Sequence, residues 1–205
     1  MNILSIKTDF DANDINILSR EFCISNENIF TLSLFSIEYK RPNISCDSNE
    51  IGIFTSINAV KSLIYHDVSI PKNSITVGKK SSNLILSQVV NAKISSYNSV
   101  GDLVYNLKKD KQYIYFRGEN VKVDLFRENV KNCIVYKTNP INNGDYIRDI
   151  IEKKCISIII LYSQRSIDEF LKLNIGNNIL YFIPYNCKMC ALNVKYFDPN
   201  DPKFR

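Results

Sequence analysis

Residues 51–63, IGIFTSINAVKSL, decide how the chain is read. An apolar strand (51–54) runs into a hydroxyl pair, Thr55 and Ser56. A helix follows, with an inward face of Val60, Leu63 and Ile64. Ser56 or Asn58 is a natural N-cap. A helix that starts directly after a strand aims its free backbone N–H groups at the strand's carboxyl end. That makes an anion site before any side chain is counted. The pattern returns at residues 158–170, IIILYSQRSIDEF, with Ser163 standing for Ser56, Ile167 for Val60 and Phe170 for Leu63. A second strand follows each copy, at 74–78 and 179–183. The expectation is two similar α/β units that face the same kind of ligand.

Outward from this stretch the elements alternate. Residues 2–6 read as a first strand, and Asp11 as the cap of a helix carrying Ile15, Leu18 and Phe22. Strand-like residues 29–34 continue with alternation through Phe35, Ile37 and Tyr39 until Arg41-Pro42 ends them, and 43–49 is a polar loop. Between 51 and 136 come a helix begun by Ser81 or Ser82, a short strand at 93–95, and a helix capped by Asn98 or Ser99 with Val100, Leu103, Val104 and Leu107 on one face. A strand at 113–116 ends in Arg117-Gly118-Glu119. A helix through Leu125, Phe126 and Val130 and a strand at 133–138 follow. NPINNG (139–144) is a turn, the next helix faces inward with Ile147, Ile150 and Ile151, and residues 155–161 are the most apolar strand. A last strand at 193–197 precedes a polar, Pro-broken tail. This rhythm implies mainly parallel sheets with helices on both faces. Neither end of the chain makes a whole domain alone. Residues 1–38 plus 139–205 therefore form one discontinuous α/β domain, with 39–138 inserted as the second. A two-stranded connector joins them, and a cleft between two such units is a favoured ligand site.

Composition narrows the function. With 205 residues and 45% hydrophobic content, the chain has enough apolar sequence for real cores. No run approaches a membrane span and the start lacks a secretory layout, so a cytoplasmic protein without membrane attachment is expected. A net charge of +5, scattered rather than striped, suits an anionic small ligand or a plain soluble surface, and does not suit nucleic acid. The six cysteines include one close pair, Cys187 and Cys190 in CKMC, with no second pair and no histidine pair; metal is not expected and buried free thiols are. GxGxxG after a strand, GxxxxGK[ST] and GxSxG are absent. The one histidine, His66, sits late in a helix, and no acidic residues pair at strand ends. Dinucleotide, P-loop, triad and two-carboxylate chemistries are accordingly disfavoured.

Hydroxyls, amides and cations do stand at strand ends. Thr55, Ser56 and Asn58 follow one strand, and Gly78, Lys79, Lys80 and Ser81 another. Arg117 and Gly118 follow a third, Tyr136, Lys137 and Thr138 a fourth, Ser163 and Arg165 a fifth. Such a rim binds carboxylates or phosphates through helix N-termini and charge-assisted bonds. Taken singly, the Ser and Asn residues are accounted for as caps and the cations as solvated charges; five strand ends together favour a ligand.

These residues also carry a family resemblance. IFTSINAV (53–60), ITVGKKSS (75–82), YIYFRGE (113–119), VYKT (135–138) and ILYSQRSIDEF (160–170) occur in the order in which the uroporphyrinogen-III synthase family has similar stretches. The resemblance spans nearly the whole chain. It implies two α/β domains on a two-stranded connector, no cofactor, and hydroxymethylbilane, a substrate with eight carboxylates, as ligand. It implies loss of water to an azafulvene, attack by ring D through its substituted carbon, a spiro intermediate, and closure to uroporphyrinogen III with ring D inverted. The enzyme's main task would be conformational, holding the bilane's ends and stabilising a cationic intermediate. Tyr136 matches the family tyrosine proposed to assist departure of the hydroxyl. The resemblance also implies a monomer and transient contact with hydroxymethylbilane synthase. The chain departs from the family at Pro184-Tyr185-Asn186-Cys187, where a glycine or serine usually follows the strand; a proline in a helix's first turn would keep an anion site there. Two other readings stay open: a non-catalytic or degenerate module that clasps an anionic ligand, and an enzyme acting on phosphorylated small molecules.

Overall fold

The computed structural model describes the chain except residues 9, 11, 45–48, 121–124, 126, 176–178, 190, 192 and 199–205. In chain order it has β1 (Asn2–Ile6), α1 (Ala12–Phe22), a 3-10 turn (Asn26–Asn28), β2 (Ile29–Leu32), β3 (Phe35–Tyr39), β4 (Ile51–Phe54), α2 (Ile57–Tyr65), β5 (Asn73–Val77) and α3 (Lys79–Gln88). Then come β6 (Lys93–Tyr97), α4 (Val100–Asn106), β7 (Tyr113–Gly118), β8 (Val130–Pro140), α5 (Gly144–Lys153), β9 (Ile156–Leu161), α6 (Gln164–Leu171), β10 (Leu180–Pro184) and β11 (Val194–Phe197). The strands make two sheets, ordered β11-β10-β9-β1-β2 and β3-β8-β7-β4-β5-β6. Pairing is parallel through β11-β10-β9-β1-β2 and through β8-β7-β4-β5-β6. The molecule is thus the parallel-sheet α/β protein that the alternation implies. It divides into two compact units: Met1–Ser36 with Pro140–Arg205, and Ile37–Asn139.

The contiguous unit, Ile37–Asn139, is built on the six-stranded sheet. Alternate residues of its inner strands feed opposite faces. Phe54, Ile114 and Phe116 pack with Val60 and Leu63 of α2, while Ile53, Tyr113 and Tyr115 pack with Leu103 of α4. Ser62 of α2 is fully buried, and its hydroxyl donates to the carbonyls of Lys40 (3.1 Å) and Val135 (2.5 Å), fastening the helix to β8 and to the end of β3.

The discontinuous unit brings the two ends of the chain into one sheet. β1 lies between β2 and β9, pairing Ile3 with Ile29 and with Ile158. Leu4, Ile159 and Leu161 face one core with Ile147, Ile167 and Phe170; Ile3, Ile158 and Ile160 face the other with Leu18. Each such apolar side chain, removed from water, contributes about 2 kcal/mol.

Three local expectations need correction. The helix expected through Leu125 and Val130 is not formed by its described residues, since Val130 opens β8. Leu125 and Val130 are buried, but the segment is tied by side chains rather than by a helix ladder. Arg127 donates to the carbonyls of Val104 (2.9 Å) and Leu107 (3.4 Å) at the end of α4, and Asn129 donates to those of Lys108 and Lys111. α3 starts at Lys79, earlier than either serine, with Gly78 at the cap position; Ser81 is buried and Ser82 Oγ bonds the Lys79 carbonyl. Pro184 ends β10 instead of opening a helix, because the Cys187 N–H turns back onto the Pro184 carbonyl (2.9 Å). The Asp11 cap, Phe126, Cys46 and Cys190 lie outside the described residues. No described helix is long and apolar enough to cross a membrane.

Candidate functional site

In the contiguous unit the sheet order β8-β7-β4-β5 sets four of the singled-out segments side by side, three of them at strand ends and the fourth within β8. At β4, Ser56 has an extended backbone and caps α2, accepting from the Asn58 N–H at 3.2 Å. Thr55 Oγ1 is 2.8 Å from the Tyr115 hydroxyl, so that hydroxyl is already engaged. Asn58 Oδ1 is buried without a partner among the described residues. At β5, Gly78 holds φ +84°, a conformation that excludes most side chains, and brings Lys79 to the first turn of α3. Lacking a side-chain cap there, α3 offers its first-turn N–H groups to solvent or ligand.

At β7 and β8 the geometry is closer. The two strands pair one for one from Tyr113↔Val130 to Arg117↔Ile134, then skip, so that Gly118 stands opposite Tyr136. The Glu119 N–H donates to the Tyr136 carbonyl at 2.9 Å. Arg117 Nη1 reaches the Gly118 carbonyl at 3.2 Å. The Glu119 carboxylate lies 3.5 Å from Lys40 Nζ and 3.7 Å from Lys137 Nζ. Both lysines and the glutamate are partly exposed, so these pairs add little stability. Their effect is to gather three charges, with the cations in excess, where β3, β7 and β8 meet. Tyr136 is partly buried against the core of Phe54 and Phe116, and its hydroxyl bonds to no described residue. Tyr136, Lys137 and Thr138 were expected at a strand end; they lie inside β8, which continues to Pro140 beyond the end of β7.

Ser163 belongs to the discontinuous unit, where it does for α6 what Ser56 does for α2. Its Oγ accepts from the Ser166 N–H at 3.1 Å and meets Ser166 Oγ at 2.9 Å. Arg165 stacks on the Phe35 ring, 4.7 Å from its centroid. Gln164 exchanges two hydrogen bonds with the backbone of Lys188, fixing the segment that departs from the family pattern. At the carboxyl end of the same sheet Lys7 Nζ meets the buried Asp14 carboxylate at 2.6 Å, and Tyr162 meets Ser5 at 3.3 Å.

Lys40, Tyr115 and Glu119 take part in the contiguous unit's edge and were not singled out from the sequence. Glu119 stands in the quoted stretch YFRGE, so its place was visible; its bridging of Lys40 and Lys137 depends on β3 lying beside β8.

The family model for uroporphyrinogen-III synthase HemD matches residues 36–190. Among solved structures, the chain is similar to a uroporphyrinogen-III synthetase from Helicobacter pylori, at 17% identity and a TM-score of 0.62 over 89% of this chain and 83% of that one. It is also similar in fold to a mutant uroporphyrinogen III synthase from the extremely thermophilic bacterium Thermus thermophilus, at 7% identity and a TM-score of 0.54 over 100% and 95% of the two chains. No curated protein sequence matches this chain significantly.

Proposed function

The chain belongs to the uroporphyrinogen-III synthase family, and from that premise we propose that Tyr136 assists departure of the hydroxyl of hydroxymethylbilane. The enzyme is a cyclising lyase of haem biosynthesis, converting hydroxymethylbilane to uroporphyrinogen III. In this reading the Tyr136 phenol donates its proton to the hydroxymethyl oxygen, which leaves as water. The cationic azafulvene that remains is attacked by ring D through its substituted carbon. The spiro product reopens and recloses with ring D inverted, and the proton released on closure balances the one donated. Unassisted closure gives the isomer without inversion, so holding the bilane's ends matters as much as the proton.

Lys79, Arg117 and Lys137, with the α2 and α3 N-termini behind Thr55, Ser56, Asn58 and Gly78, bind substrate carboxylates in the contiguous unit. Thr138 supplies a further polar contact, Gly118 flanks the phenol, and Ser163 is a candidate carboxylate contact at the N-terminus of α6 in the discontinuous unit. The observation that supports this reading is the setting of Tyr136, a phenol with no hydrogen-bond partner among the described residues, its tip at Gly118 at the end of β7. The reading extends to a monomeric, cytoplasmic enzyme in transient contact with hydroxymethylbilane synthase.

The test is to supply fresh hydroxymethylbilane, oxidise the products and separate the porphyrin isomers. A large excess of isomer III is expected. Isomer I alone, at the rate seen without protein, would remove the catalytic assignment.

A further inference from the structure

We propose that Gly118 is a positioning residue whose missing side chain seats the phenol of Tyr136, an inference that rests on the role given to Tyr136 above. A Cβ built on Gly118 would stand 2.7 Å from Tyr136 Cζ, 2.8 Å from Cε2 and 3.0 Å from the hydroxyl oxygen. These are the atoms at the far tip of the ring. The distal end of the phenol therefore occupies the space that any other residue at 118 would fill.

The backbone itself does not ask for glycine at this position. Gly78 is the glycine with positive φ among the described residues, and Gly118 is not in that region. The demand comes from the neighbouring ring.

Two further features act on the same pair. The strand register skips between Arg117 and Gly118, which sets Tyr136 rather than Val135 opposite Gly118. Irregularities of this kind re-aim side chains. The Glu119 N–H then holds the Tyr136 carbonyl at 2.9 Å, fixing the backbone from which the ring projects. Backbone register and bond choose the direction of the ring, and Gly118 leaves its tip room to lie over the end of β7.

Gly118→Ala separates positioning from folding. Alanine is tolerated by the backbone, and the atoms it meets belong to a side chain that can rotate. The phenol must move by about 1 Å to restore ordinary contact, and misplacement on that scale costs on the order of 10²-fold in rate.

The experiment compares wild type, Gly118→Ala, Tyr136→Phe and the double variant. It measures isomer III formation across hydroxymethylbilane concentrations, melting temperature, and the 13Cζ resonances of labelled tyrosines. Gly118→Ala is expected to melt within about 4 °C of wild type, to shift the Tyr136 resonance, and to lower kcat by roughly tenfold to a hundredfold with KM changed less than about twofold. The double variant is expected to be no slower than Tyr136→Phe. Wild-type kcat in Gly118→Ala, with Tyr136→Phe slow, would overturn the positioning role and leave Tyr136 its own. An equal further loss in the double variant would also overturn it, since Gly118 would then act independently of the phenol. Full turnover by Tyr136→Phe would defeat the role of Tyr136 itself, and positioning with it.

Discussion

Tyr162 and Gly78 each hold a condition that the fold imposes on one residue. Burial pushes the Tyr162 phenol up to about 12, the Asp14 carboxylate adds in the same direction, and the hydrogen bond to Ser5 opposes them. The fold thus prefers the neutral phenol. This contribution is fully present below about pH 10, where the unfolded phenol keeps its proton, and is lost as the pH rises towards 12. Between pH 9 and 11 the unfolding free energy of wild type should fall by about 1 kcal/mol more than that of Tyr162→Phe, as read from urea titrations at each pH. Equal slopes would dismiss the assignment. Gly78 is a case of backbone rather than environment. With φ +84° and ψ 149°, and nothing within 4 Å of a built Cβ, Gly78→Ala has room but the wrong dihedrals. A loss of about 1–3 kcal/mol is expected from the urea midpoint. The contrast with Gly118, which has suitable dihedrals and no room, separates the two reasons a chain retains glycine.

Among elements, α2 shows how local sequence and distant partners divide the work. Its apolar face and Ser56 cap are local signals, read directly from residues 51–63. The bonds of Ser62 to the Lys40 and Val135 carbonyls are not, because they require β3 and β8 to lie beside each other under the helix. Ser62→Ala should cost about 1 kcal/mol in equilibrium unfolding, since it takes the hydroxyl donor from the Lys40 carbonyl while the Val135 carbonyl keeps the Lys40 N–H; an unchanged midpoint would mean that the Lys40 carbonyl finds another donor. The same division explains what the sequence disclosed. Strand–helix alternation and the paired Ser56 and Ser163 caps were legible because apolar periodicity and capping are short-range. The helix expected before β8 follows from Leu125 and Val130 being spaced for burial, whereas Arg127 reaches back to the end of α4 and Asn129 to the carbonyls of Lys108 and Lys111 beyond it. The strand-end residues of the site were legible as types. Their engagement was not: Thr55 with Tyr115, Glu119 with two lysines, and the ring of Tyr136 over Gly118 all arise from register between strands.

For the whole molecule, the two units differ in how the chain reaches them. The contiguous unit carries its own six-stranded sheet and two cores. A fragment of residues 37–139 is therefore expected to fold alone and to melt cooperatively by circular dichroism; a fragment with no transition and rapid amide exchange would show that it borrows stability from the rest. Residues 1–36 should stay unfolded under the same conditions, because β1 pairs on one side with β2 and on the other with β9, which the fragment lacks. That placement gives synthesis a timetable. Ile158 is synthesised 155 residues after Ile3, so at about 5–20 residues per second β1 waits roughly 8–30 s for its partner. During that interval the intervening unit has its complete sequence and time to close. The apolar strand 2–6 meanwhile stands half-paired, and this strand is the part of the unit most exposed to chaperones and to aggregation.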